Sequence, residues 1–195
     1  RPTVTLVGEI VPPADAGPWR YRLAAREAVL DPPDVAGPPL VLQRFAVEGE
    51  IDPSRSTVTF ERGLAIAPLG VFMAAGSLAI GPDGPSFAGA AEIRATDVDT
   101  LKRIWPPVTA HDARTWLVDE VMGGVVERAS ADFALTPQDL DGLPETDFHV
   151  KGGIDVSVFF RDATLRLPGK LPALAGADGE ARVLDRRAGI TTTGG

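Results

Sequence analysis

Val71-Phe72-Met73-Ala74-Ala75-Gly76-Ser77-Leu78-Ala79-Ile80, the turn Gly81-Pro82-Asp83-Gly84 and the run from Pro85 to Ile93 decide the fold. Phe72, Ala74, Gly76, Leu78 and Ile80 fall on every second position, and so do Phe87, Gly89, Ala91 and Ile93. Alternate side chains of an extended chain point to opposite faces, so each run predicts a strand with one apolar face. The Gly-Pro-Asp-Gly between them is turn chemistry. Two such runs joined so closely make an antiparallel hairpin.

The same rhythm extends both ways. Val58, Phe60, Leu64 and Ile66 oppose Thr57, Thr59 and Glu61; before them Val41, Phe45, Val47, Gly49 and Ile51 oppose Leu42, Arg44, Glu48 and Glu50. Residues 41–95 therefore predict a four-strand meander, turning at Asp52 to Ser56 and at Pro68 to Gly70. Residues 1–40 hold two earlier strands, around Leu6 and Tyr21, and a Pro-rich loop from Asp31 to Pro39. Residues 125–195 return to strands: Val125, Ala129, Ala131, Phe133 and Leu135, then Phe148, Val150 and Ile154 on one strand, the apolar run Val156 to Phe160, the alternation Ala163, Leu165 and Leu167, then Ala181, Val183 and a partner from Gly189. Thr136 to Asp147 and Pro168 to Gly179 are expected to be loops.

Between these halves, residues 96–124 change period. Val98, Leu101 and Trp105 are spaced three and four apart, as on one helix face. Thr96 with Asp99 resembles a capping box, and Pro106-Pro107 stops the helix. Thr109 would cap a second helix with Ala113, Trp116, Leu117 and Val121 on its apolar face, ended by Gly123. The fold expected is mostly β, one domain: a long curved antiparallel sheet, or β-groove, with one short helical pair inserted.

Composition narrows the function classes. Basic residues are scattered and the formal net charge is −8, so nothing gathers to neutralise phosphates and nucleic acid is not expected as a partner. The absence of Cys removes disulfides and thiol chemistry. His111 and His149 lack ligand-spaced partners, so neither a metal nor another cofactor is expected. No Gly-x-Ser-x-Gly elbow is present, and Ser77 sits inside an alternating strand. Gly123-Gly124 and Gly152-Gly153 lack the strand–loop–helix context of a phosphate loop. No enzyme is expected; a dispersed hydrolase site would need one of the His beside a Ser and an Asp. The chain begins at Arg1 in a strand-like run and reads as part of a longer polypeptide.

Asp97-Val98-Asp99-Thr100-Leu101-Lys102-Arg103-Ile104-Trp105-Pro106-Pro107 is followed by Ala113-Arg114-Thr115-Trp116-Leu117 and by Gly123-Gly124-Val125-Val126. This pattern resembles the domain of unknown function DUF3971 of large bacterial envelope proteins related to AsmA and YhdP. There a helix ends in Trp-Pro, a second carries Arg-x-Trp-Leu, and a Gly turn opens a strand. Phe160 to Leu167, Leu171-Pro172-Ala173-Leu174 and Gly179 resemble the downstream segment, so the likeness spans Val41 to Val183. It implies structural roles for Trp105, Pro106, Arg114, Trp116, Leu117 and Gly124. It also implies a periplasmic protein anchored in the inner membrane, through an anchor outside this stretch. Its β-groove would carry phospholipid acyl chains toward the outer membrane, with the rest of the same polypeptide as neighbour.

The residues agree with a groove. One face is apolar, and a short helical pair is too little to cover it. Either the sheet folds over on itself as a sandwich, or part of the face stays open to a ligand. The candidate lining residues are Val58, Phe60, Phe72, Leu78, Phe87 and Ile93. Small residues (Ala74, Gly76, Gly89, Ala91, Ala129, Ala131) would leave room beside them. A non-catalytic structural or interaction module of the envelope is the alternative, docking a partner at a sheet edge.

Overall fold

The computed structural model describes residues 5–31, 38–105, 111–141, 153–167, 171–184 and 187–192. The elements run β1 (Leu6–Val11), β2 (Trp19–Leu30), β3 (Leu40–Asp52), β4 (Thr57–Ile66), β5 (Val71–Gly81), β6 (Gly84–Asp97), α1 (Val98–Ile104), α2 (His111–Glu120), β7 (Val121–Leu135), α3 (Pro137–Asp141), β8 (Ile154–Leu165), β9 (Leu174–Leu184) and β10 (Arg187–Thr192). The ten strands form one sheet in chain order, each antiparallel to the next, and the sheet does not close into a barrel. All ten strands belong to this one sheet, so among the described residues there is no separate second sheet to pack on it, and Val58, Phe60, Leu78 and Phe87 are only half-buried where a sealed sandwich would enclose them.

The turns behave as their residues require. At the β3–β4 turn the Asp52 carboxylate accepts from the Ser54 hydroxyl (2.6 Å) and from the backbone N–H of Ser54 (3.0 Å) and Arg55 (3.2 Å). This is the side-chain turn that Asp forms with the backbone two residues on. The turn formers 81–84 close the β5–β6 hairpin on the Gly81–Gly84 pair.

Strict alternation fails at several places. The register slips between Phe60 and Gly63, so Glu61 and Arg62 take the space of one residue. Such a bulge bends the strand and exchanges its faces. Gly63 and Ala65 consequently join Val58 and Phe60, while Leu64 and Ile66 move to the opposite face beside Met73 and Val71. Leu42, expected on the polar side, packs with Ala28 and Ala67 against Phe72. In β7 a slip between Val126 and Arg128 buries Val126 and turns Val125 outward. Glu27, Ala95 and Asp162 have positive φ within their strands, each a local kink of the same kind.

The helices also depart in detail. Asp97 rather than Thr96 caps α1, its carboxylate accepting from the Thr100 N–H at 2.6 Å. Thr96 stays in β6 and donates its hydroxyl to the Leu69 carbonyl at 3.0 Å. α2 ends at Glu120 and β7 begins at once, so Gly123 and Gly124 lie inside a strand instead of ending a helix. Pro106, Pro107, Thr109, Phe148, His149 and Val150 lie outside the described residues. A third helix, α3, replaces the start of an expected loop. The Thr136 hydroxyl accepts from the Asp139 N–H (3.3 Å), the Asp139 carboxylate accepts from the Thr136 N–H (2.8 Å), and Pro137 takes the first helical position. β9 likewise begins at Leu174, inside an expected connection.

The main core gathers at one end of the sheet. Val98, Leu101, Leu117, Val121, Val126, Ala129, Phe160, Ala163, Leu165 and Ala177 form it, with Ile93, Ile104 and Trp105 against it. It is the space between the α1–α2 pair and the sheet around β7 and β8.

Candidate functional site

The ladder registers place all six candidate lining residues on one face. Val58, Leu78 and Phe87 stand directly opposite one another on neighbouring strands; Phe60 opposes Gly76, and Phe72 opposes Ile93. Between these groups runs a row of mostly small residues: Val47, Gly63, Ala74, Ala91, Ala131 and Val156. Each is directly opposite the next, so the row crosses the sheet perpendicular to its strands, from β3 to β8. The result is a shallow lane.

One wall of the lane is aromatic. The rings of Phe60 and Phe87 stack at 5.6 Å between centroids and 26° between planes, and Phe87 stacks on Phe133 at 5.1 Å and 24°. Glycines beneath make room. A Cβ on Gly76 would stand 2.6 Å from the Phe60 ring, and one on Gly89 would stand 3.2 Å from the Phe133 ring. Stacked pairs of this kind add about 0.5–1.5 kcal/mol beyond the area they bury. The facing wall is Phe45, Ala65, Phe72 and Ile93, one row of directly opposed residues.

Phe133 belongs to the site although it was not among the candidates. Its place opposite Gly89 depends on pairing between β6 and β7, which are separated by the helical pair. The available signal was an aromatic and a glycine, each on the apolar parity of its own strand.

Val58, Phe60, Leu78, Phe87 and Phe133 are half-buried, not enclosed. Among the described residues no helix makes a sizeable contact with β3, β4 or β5; α1 and α3 touch β6, and all three helices touch β7. Phe72 and Ile93 differ: Ile93 leans against the main core and Phe72 against the small cluster of Ala28, Leu42 and Ala67. The lane is therefore without helical cover over β3–β5 and leads toward covered ground at β8.

The motif residues build that cover. Arg114, 5% exposed, donates from Nε to the Trp105 carbonyl (3.0 Å) and from a terminal nitrogen to the Lys102 carbonyl (3.3 Å). These carbonyls lie in the last turn of α1, where no helical N–H reaches them. Arg114 thus joins the two helices. Leu117 enters the core, while Trp116 stays partly exposed at its margin. Lys102 is buried and donates to the Val121 carbonyl at 2.6 Å; burial holds its pKa below the usual lysine value, with Asp99 and Asp119 opposing that shift.

The opposite face carries the ion pairs, together with the apolar patch Leu64, Ile66, Val71 and Met73. Arg20 and Arg22 pair with Glu50 and Glu48, Arg62 with Glu48, Arg94 and Arg128 with Glu92, and Arg182 with Asp155. Exposed pairs contribute little energy each. They do separate a wet face from a greasy one. Among the described residues no group of three potential metal ligands forms, and no helix is long and apolar enough to cross a membrane.

Fold and site together define an open single-sheet β-protein with an apolar lane across one face. No family model, curated protein or solved structure matches the chain.

Proposed function

We propose that this chain is a segment of an AsmA-like periplasmic protein, anchored in the inner membrane elsewhere in its length. In this proposal its apolar β-groove carries phospholipid acyl chains between the inner and outer membranes. The observation that carries the reading is the lane itself: a row from Val47 to Val156 between apolar walls, whose residues are only half-buried from β3 to β7 and which passes under the helical pair at β8. Strands are spaced about 4.8 Å apart, so the row from β3 to β8 is about 24 Å long. A bilayer core of about 30 Å holds two acyl layers, about 15 Å each, so one chain fits along the lane. The occupant needs no hydrogen bonds, because the lane's side chains are hydrocarbon and its backbone is engaged in the ladder.

Magnitudes favour transport over storage. A buried methylene is worth about 0.8 kcal/mol, and one lying on an open face keeps half its surface wet, leaving about 0.4. A dozen or so such groups give about 5 kcal/mol, a sub-millimolar dissociation constant. Binding of that strength is readily reversed. The motif resemblance supplies the cellular setting.

The test is equilibrium binding of a phospholipid carrying a fluorescent acyl chain. Ala91→Trp, which fills the lane, should raise the dissociation constant at least ten-fold. Ser77→Trp, on the other face, should leave it unchanged. Absence of binding, or equal effects of the two variants, overturns the proposal.

The second reading is a structural or interaction module. The exposed edge strand β1, with Leu6, Val7 and Ile10 open to solvent, favours it. It predicts no lipid binding in the same assay.

A further inference from the structure

Beneath α1 and α2 lies a narrow cleft of about 60 Å³. Its lining includes Trp105, Trp116, Leu117 and Val156, with Ala181 and Val183 across from the helices, and every residue lining it is apolar. Val156 is the last residue of the lane, and Val183 is its directly opposed partner on β9. The lane and the cleft therefore meet at Val156. A cavity of about 150 Å³ holds a six-carbon benzene ring, so the cleft takes about two or three methylenes.

We infer that this cleft receives the methyl end of a chain lying in the lane, and that the helical pair sets the longest chain that fits. The inference rests on the reading of the lane as an acyl-chain site. The orientation follows from the two buried cations nearby. Lys102 is directed to the Val121 carbonyl, and Arg114 to the carbonyls of Trp105 and Lys102. Both are committed to backbone oxygens of the helical pair. An anionic head group would give up its hydration inside a cleft whose lining is all apolar, and a hydrocarbon end loses nothing there. The partly exposed Trp116 stands at the margin, where it limits how far a chain advances.

The experiment uses the whole 195-residue chain and a series of saturated lysophospholipids, each below its micelle concentration. Along the open lane each added methylene should tighten binding about two-fold, and inside the cleft about four-fold, the latter corresponding to about 0.8 kcal/mol. Beyond the cleft's end, further methylenes should add nothing. Ala181→Phe fills the cleft and should move that plateau to chains about two or three carbons shorter. Trp116→Ala should move it to longer chains. In a Trp19→Phe background, bromine at the terminal carbon should quench the remaining tryptophans, Trp105 and Trp116, more than bromine at mid-chain. A constant increment with no plateau overturns the inference and leaves the lane standing. So does a plateau that neither variant moves, or equal quenching from both bromine positions. If no chain binds the wild-type protein, the lane reading falls and takes this inference with it.

Discussion

At Gly124 the backbone φ is +132°, and a Cβ would stand 2.8 Å from the Ala163 Cα. Both the torsion and the neighbouring strand demand glycine. Gly123 has nothing within 4 Å of its would-be Cβ. Gly124→Ala should cost about 2–3 kcal/mol, and Gly123→Ala about 0.5 or less, compared by urea unfolding midpoints. Arg114 provides a second case. Arg114→Ala strands two carbonyls of the α1 terminus and should cost about 2–3 kcal/mol in the same assay. Arg114→Lys should recover only part, because a single ammonium does not reproduce the planar fork that spans Trp105 and Lys102. The sequence motif pointed to both residues, yet it could not distinguish Arg114 joining the helices from Arg114 facing water. That depends on where the preceding helix ends.

At the scale of elements, period-two alternation found all the main strands but not the points where alternation slips. Val58 and Phe60 lie before the Glu61–Arg62 bulge and keep their expected face; Leu64 and Ile66 lie beyond it and do not. A bulge leaves no mark in hydrophobic periodicity when apolar residues continue on both sides of it. The helix α3 was missed for a different reason. Five residues are too few to show a helical period. Its cue was Thr136-Pro137-Gln138-Asp139, in which a capping residue, a first-turn Pro and a reciprocal carboxylate coincide. Thr136→Ala should cost about 1 kcal/mol, measured by thermal or urea unfolding. The loss should also loosen the contact that α3 makes with β6 and β7.

The whole molecule is a sheet with chemically opposite faces, and each face has its own response. On the charged face, hydrogen bonding to Arg94 and the nearby Arg128 hold the Glu92 carboxyl below the usual carboxylate range. Arg182 does the same for Asp155, and the Ser54 hydroxyl for Asp52. A carboxylate whose folded pKa is depressed contributes stability above its unfolded pKa and loses it as pH falls through the folded one. The urea midpoint should therefore hold near neutral pH and fall below about pH 4, with a shallower fall in Asp155→Asn. On the apolar face the account stands or falls on what occupies the lane. The sequence showed that such a face exists, but only the register between strands aligned Gly63, Ala74, Ala91 and Ala131 into one row. The most direct measurement places a photo-crosslinking amino acid at Val58, Leu78 or Phe87, and separately at Thr57, Thr59 or Glu61, in the presence of phospholipid vesicles. The account predicts lipid adducts from the first set and none from the second. Adducts confined to the second set, or absent from both, would contradict it.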